Sequence, residues 1–224
     1  MSPIERVPEV ECMDTPEEAV QYDLMDHTEV NRAFVDRLLE IGGGGEGRVL
    51  DVGTGPAHIP IELCRRNGFV RVTAVDAAKA MLDRATARIR EAGFEGRIRL
   101  VLADGKRLPF PDGAFDAVMS NSIVHHLADP RAFFREVKRL VKPRGVVFLR
   151  DLFRPESEER LADLVARHAA GATPEQKNLF AASLRAAFTV DEAAAMLGES
   201  GLGELRVFSS SDRHWTAERP RRGA

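Results

Sequence analysis

The stretch Val49-Leu50-Asp51-Val52-Gly53-Thr54-Gly55-Pro56-Ala57 decides the fold. Val49 to Val52 make a short apolar run bounded by turn residues, the pattern of a strand buried on both faces of a parallel sheet. Gly53 and Gly55 permit a sharp turn and leave room for a ligand where a Cβ would collide. Pro56 holds Thr54-Gly55 in a non-helical entry and suits the opening of a helix. Backbone N–H groups at such a turn are expected to point outward, toward the polar end of a nucleotide-like ligand.

The next apolar run, Val70 to Val75, closes on Asp76. That acid stands about 20 residues beyond the glycines, where a carboxylate can take both hydroxyls of a ribose. His58 occupies the place of the third glycine in the dinucleotide fingerprint. The nucleoside reading survives this departure, whereas a reading as an NAD site is weakened.

Working outward, residues 57–67 read as a helix stopped by Gly68, with Pro60 tolerated in its first turn. Met81, Leu82, Ala85 and Ile89 form the apolar stripe of a second helix, closed by Gly93. A third strand, Arg97 to Ala103, ends in Asp104-Gly105. A fourth, Phe115 to Ser120, leaves through Asn121-Ser122-Ile123-Val124-His125-His126. Asp129 and Pro130 open a helix that Pro143-Arg144-Gly145 should stop, and Val146 to Leu149 form a fifth strand reaching Arg150-Asp151. Strands alternating with helices predict a parallel, doubly wound α/β sheet, in which ligands bind at the carboxyl ends of strands. Gly53–Gly55, Asp76, Asp104, Ser120–His126 and Arg150–Asp151 all fall at such ends.

Before this core, Met1 to Asp14 is polar and expected to be loose, without the apolar segment of a signal peptide. Thr15-Pro16 starts a helix, and Val30, Phe34, Leu38 and Leu39 give an amphipathic helix over about residues 28–41. Tyr22, the chain's single tyrosine, sits with Asp23, Asp26 and His27 in the link between them. That link is either a capping loop or a flap over a ligand. Beyond Pro155, Leu161, Leu164, Val165 and His168 line a helix, with His168 expected as a packed histidine rather than a ligand. Thr173-Pro174-Glu175-Gln176 and Thr189-Val190-Asp191-Glu192 are two capped helix starts. Two strands follow, Leu205 to Ser209 and one beginning near Asp212. The expected organisation is a helical cap or flap over 1–45, a cofactor-binding core over 46–152, and a helical insertion with the final strands over 153–224.

With 224 residues the chain suits one sizeable α/β domain. A net charge of -3 argues against a general nucleic-acid or membrane-surface binder. No apolar run approaches the length of a membrane span. Cys12 and Cys64 make neither a disulfide framework nor a metal-site spacing, which fits a reducing cytoplasm.

Taken together, the stretch Val49–Pro56, Asp76 with Met81-Leu82, Ala103-Asp104, Phe115-Asp116 with His125-His126-Leu127, and the Leu140-to-Gly145 turn resemble a class I S-adenosylmethionine-dependent methyltransferase. The resemblance runs from about Val49 to Asp151 and is similar to the quinone-biosynthesis group. It implies a Rossmann-like, mostly parallel seven-stranded sheet with helices on both faces and a helical insertion after the fifth strand. It implies S-adenosyl-L-methionine as cofactor. Gly53, Thr54, Gly55 and Pro56 would receive the methionine part, with Asp51 helping to hold its ammonium and Tyr22 closing over it. Asp76 would take the ribose, Ala77 and Met81 would pack the adenine, and Ala103, Asp104 and Gly105 would meet its edge. Asn121 and Ser122 would lie near the methionine end.

His125, His126, Asp151 and His27 are the candidates for a base, should the acceptor need one. No metal is expected, because adjacent histidines on a strand point apart and one alone could face the site. The fourth strand lacks the Asn/Asp-Pro-Pro-Tyr/Phe sequence of amino-methylating nucleic-acid enzymes, so a small organic acceptor is expected, handled by a monomer or homodimer. Two other readings stand beside this one: an NAD(P)-dependent oxidoreductase, against which His58 and the lack of a second tyrosine count, and a non-catalytic nucleoside-binding protein.

Overall fold

The computed structural model describes residues 4–9, 14–24, 27–45 and 47–221. Cys12, Met25 and Asp26 lie outside them. Five strands follow in parallel: β1 (Arg48–Val52), β2 (Arg71–Asp76), β3 (Ile98–Leu102), β4 (Phe115–Asn121) and β5 (Val141–Leu152). They interleave with helices α3 (His58–Arg66), α4 (Lys79–Ala92) and α5 (Arg131–Leu140). Helices α1 (Pro16–Asp23) and α2 (Thr28–Glu40) precede this core; α6 (Glu158–His168), α7 (Pro174–Ala186) and α8 (Val190–Leu197) follow it. The chain then adds β6 (Arg206–Ser209) and β7 (His214–Arg219), giving a seven-stranded sheet in the order β3-β2-β1-β4-β5-β7-β6. β7 enters antiparallel between β5 and β6, so the sheet is mixed at one edge only.

Alternate residues of the central strands feed two separate cores, which is why those strands read as continuous apolar runs. Leu50, Val118 and Val147 face α5 and α8 through Phe133, Phe134 and Leu197. Their neighbours Val49, Ala117 and Val146 face α2, α3 and α4 through Phe34, Leu63 and Ile89. Reversal of strand order between β2-β1 and β4 opens a crevice at the carboxyl ends.

Three expectations need correction here. The helix before the fifth strand ends at Leu140, and the chain passes without a loop into β5, where Lys142, Pro143 and Arg144 sit beside a register shift opposite β4. Pro143 is tolerated because the bulge at that point demands no ladder bond of it. His168 is not packed; it lies at the surface against Asp212, with Nε2 2.8 Å from its carboxylate. Residues 4–9 are anchored rather than loose. Ile4 is buried among Leu152, Leu161 and Leu164. Val7 N donates to Arg185 O at 3.2 Å. Arg6 donates to the carbonyls of Ala186 (2.6 Å), Leu127 (2.8 Å) and Ala128 (3.1 Å). Both predicted capping boxes form, Thr173 with Gln176 and Thr189 with Glu192.

Candidate functional site

A cleft of about 340 Å³ opens where the strand order reverses. Its floor is the β1–α3 turn, and the geometry of that turn departs from expectation. Gly53 N and Thr54 N both donate to Val75 O, at 2.8 and 2.9 Å. Gly55 N donates to Asp76 Oδ2 at 2.7 Å, and Ala57 N to Thr54 O at 3.0 Å. Pro56 has no N–H to offer. The amides of residues 53–57 are therefore consumed within the protein, and the turn is no phosphate cradle. A dinucleotide needs such a cradle for its pyrophosphate; a nucleoside joined to an amino acid does not.

The two glycines have different reasons to be glycine. Both have positive φ, +78° at Gly53 and +53° at Gly55. A Cβ on Gly53 would lie 2.0 Å from Ile123 Cγ2, so its space is taken by the β4 exit and not by a ligand. A Cβ on Gly55 would meet only Tyr22 Cε1, at 3.8 Å, across the cleft. Ala57 and Ser122 also have positive φ, 64° and 58°, strained for residues with side chains. Neither was legible in the sequence. Ser122 N donates to Arg150 O at 2.9 Å, which holds the bend at the end of β4.

Asp76 ties this turn to the next. One carboxylate oxygen accepts from Gly55 N and the other from Ala78 N, at 2.7 and 2.9 Å. A carboxylate has about four acceptor positions, so Asp76 keeps capacity for a hydroxyl. Burial raises the Asp76 pKa, while the amides of Ala78, Gly55 and Ala77 oppose that shift. Met81 and Ala78 pack with Ala19 of α1, with Tyr22 laid against them. They leave an apolar slot beside Ala77, Ala103, Asp104 and Gly105. Asp104 sits at the mouth of the slot, where its Oδ1 accepts from Lys106 N at 2.9 Å.

Tyr22 and Asp23 belong to the last turn of α1, not to a link between helices. Burial pushes the Tyr22 phenol up to about 12, helped by the charges of Asp76 and Asp151, so it is a hydrogen-bond donor at neutral pH. Asp23 fastens this turn down through ion pairs with Arg84 and Arg88 of α4. His58, which stands where the dinucleotide fingerprint has its third glycine, places Nε2 3.1 Å from Asp23 Oδ1, while burial lowers its pKa.

Of the proposed cofactor residues, Tyr22, Gly53, Thr54, Gly55, Pro56, Asp76, Ala77, Met81, Ala103, Asp104, Gly105, Asn121 and Ser122 line the cleft. Asn121 Oδ1 is buried there without a hydrogen-bond partner, an acceptor facing the site. Asp51 does not line the cleft. It is buried behind the turn, and desolvation pushes its carboxyl up to about 7 against the opposing Thr54 side chain.

The four base candidates separate in the same way. His27 and His126 line the cleft. His125 and Asp151 do not, since both are buried and face each other, His125 Nδ1 lying 2.5 Å from Asp151 Oδ1. Asp151 also accepts from Val124 N at 2.5 Å and Leu152 N at 2.7 Å. These bonds brace a single 3-10 turn, Val124–His126, against β5. The two histidines thus lie on a helical turn instead of a strand. Their rings lie side by side, tilted by 36° with centroids 4.2 Å apart, so the geometric objection to a shared ligand falls. Asn31, Ile59, Lys106, Leu127 and Phe133 complete the wall, without a sequence signal that would have singled them out.

A doubly wound sheet with a half-buried carboxylate and an apolar slot at its switch point has the form of a nucleoside-type site. Comparison with known proteins narrows the class. A family model described as "Methyltransferase domain" matches residues 50–149. The ubiquinone biosynthesis O-methyltransferase of Chromobacterium violaceum is 32% identical over 170 residues, covering 76% of this chain and 69% of that protein. The uncharacterized methyltransferase YcgJ of Bacillus subtilis is 36% identical over 112 residues, 50% of this chain and 43% of that protein. A putative S-adenosyl-L-methionine-dependent methyltransferase structure from Methanococcus maripaludis shares the fold, with TM-score 0.76 and 20% identity, covering 96% of this chain and 97% of that one. The chain belongs to the class I S-adenosylmethionine-dependent methyltransferases. Its aligned part spans about half the length of several curated relatives, 43% to 53%.

Proposed function

We propose that this protein transfers the methyl group of S-adenosylmethionine to a small organic acceptor that enters beside His126 and His27. The observation that carries this reading is the β1–α3 turn, with its amides spent internally and Asp76 set to receive a ribose. Bound at the cleft, the cofactor would supply an electrophilic methyl. Gly55 and Asn121 would border its methionine part, Asp76 its ribose, and Met81, Ala77 and Asp104 its adenine. Asp51 would act from behind the turn. The protein's contribution is to align acceptor and methyl and to exclude water, which α1 can do by carrying Tyr22 over Gly55.

Hydroxyl-bearing acceptors are favoured, because the relative from Chromobacterium violaceum is an O-methyltransferase by name. In this reading residues 1–45 are the cap, 46–152 the cofactor core, and 153–224 a helical insertion with the final strands, which supports the cleft from outside its lining. A cytoplasmic location suits such a reaction; among the described residues no helix is long and apolar enough to cross a membrane.

Calorimetric titration with S-adenosylhomocysteine tests the cofactor half. A panel of phenols, amines and carboxylates with labelled S-adenosylmethionine tests the acceptor half. Saturable binding with transfer to a phenol supports the reading. Lack of binding to S-adenosylhomocysteine overturns it.

A further inference from the structure

The adjacent pair His125 and His126 is met by Glu9 from the anchored N-terminal segment. One possible ligand atom from each of the three lies within 4.8 Å of the others. We propose that Glu9, His125 and His126 bind one divalent ion of the zinc class beside the cleft, which His126 lines and the other two do not. This site stands apart from the reading of the cleft as a methyl-transfer site, and its test does not depend on turnover.

Three observations carry the proposal. The first is the donor set. Two imidazoles and a carboxylate suit late first-row divalent metals, and three protein ligands leave a position open for water or substrate. The second is distance. Metal bonds of about 2.0–2.2 Å place tetrahedral ligands roughly 3.3–3.5 Å apart, and Glu9 Oε2 lies 3.2 Å from His126 Nδ1 already. The longest gap must close by roughly 1.4 Å, within the reach of side-chain rotation.

The third observation is Asp151. A metal-bound histidine usually gives its other ring N–H to a carboxylate, which fixes the tautomer and makes the ligand nitrogen more basic. Asp151 is pinned by two backbone amides and takes His125 Nδ1, which leaves Nε2 for a ligand. The contrary feature is Arg6, which donates to the carbonyls of His125 and Leu127 close by. Against it stand two carboxylates in contact with the histidines, Glu9 on His126 and Asp151 on His125; the neighbouring Arg154 is paired with Glu192.

A bland alternative is that Glu9 and His126 form an ordinary ion pair. Binding of a metal would replace the proton in that pair, so proton release on titration distinguishes the two. An ion whose open position faces the cleft would lower the pKa of an acceptor hydroxyl bound to it.

The experiment uses the full chain without a histidine tag, stripped with EDTA. It is titrated with Zn²⁺ against a chromogenic chelator and, separately, with Co²⁺ while visible absorption is recorded. The expected result is one ion per chain at micromolar affinity or better, with proton release and an intense Co²⁺ band of low coordination number. Glu9→Gln and His126→Ala should each weaken binding roughly tenfold or more, and Asp151→Asn by about 10–100-fold. His168→Ala, at a distant surface pair, should change nothing. Circular-dichroism spectra and thermal melts like the parent's check that the variants fold. Absence of stoichiometric binding by the parent, a weak six-coordinate Co²⁺ spectrum, or a Glu9→Gln variant that binds like the parent would each overturn the proposal. The parent's Co²⁺ spectrum decides the matter even if a variant fails to fold.

Discussion

The two ends of the cleft are built by different means. At the nucleoside end, the determinants come from three successive strand exits, Val52–Ala57, Asp76–Met81 and Ala103–Gly105, and backbone bonds position most of them. At the end proposed for the acceptor they are side chains from distant parts of the chain, His27 after α1 and His126 after β4, with Glu9 behind His126 and held by α7 through Ser183 Oγ, which donates to it at 3.0 Å. A backbone-built end tolerates little change of shape but is indifferent to remote substitutions. A side-chain-built end can be respecified by single replacements without disturbing the other.

The glycine turn gives the strongest way to break this comparison. Gly53→Ala should destabilise folding by about 2–5 kcal/mol, from collision with Ile123 and the cost of a left-handed alanine. Gly55→Ala should lose about 1–2 kcal/mol, from the backbone term alone. Denaturant melts of both variants check this, and equal losses would mean that Ile123 does not fill the space above Gly53.

Asp76→Ala removes the proposed ribose partner and the bridge between Gly55 and Ala78. Charge-assisted bonds of about 1.5–3 kcal/mol each predict a ten- to hundredfold or greater loss of S-adenosylhomocysteine affinity. Because Asp76 also joins two turns, the melting temperature should fall as well. That differs from the expectation for an acid at an open strand end. His126→Ala, at the other end, should reduce turnover more than cofactor affinity. A larger effect of His126→Ala than of Asp76→Ala on affinity would reverse the two roles.

Asp51 sharpens the comparison through pH. Its folded-state pKa is raised to about 7 by desolvation, so the stability it contributes is full below the ordinary aspartate value and is lost as pH rises toward and through 7. Asp51→Asn should therefore raise the melting temperature more at pH 8 than at pH 5. If the carboxylate attracts the cofactor's ammonium, the parent's affinity should rise with pH up to about 7 and the variant's should not.

The smallest effect is expected at the cap. Burial raises the Asp23 pKa, but hydrogen bonds from Arg88 and Arg84 prevail and leave it below the usual range. Its contribution is thus present above the ordinary aspartate value and is lost only as pH falls below it. Asp23→Asn should speed amide exchange across Pro16–Asp23 at neutral pH, with little change in the sheet. Unaltered exchange would show that Ala19 and Tyr22 packing alone seats the helix.

Most of the sheet, and the residues that line the glycine-turn end of the cleft, were legible in the sequence because their determinants are local. Turn glycines, acids after apolar runs and capping boxes act within a few residues of themselves. The internal use of the turn amides was not legible, since it depends on the position of Val75 in a neighbouring strand. The 3-10 turn at Val124–His126 was read as a strand exit because its bracing acid, Asp151, lies 26 residues later on β5. Arg6 and Glu9 looked like loose polar residues because their partners stand more than a hundred positions away.

That last separation has a consequence for how the protein comes into being. Arg6 closes on the carbonyl of Ala186, 180 residues downstream. At synthesis rates of about 5–20 residues per second, the leading segment waits roughly 10–40 s on the ribosome for its partner to emerge. The strands β1 to β4 can pair well before then, so a nascent chain would carry every residue that lines the cleft while Arg6 and Glu9 still lack their anchors on α7.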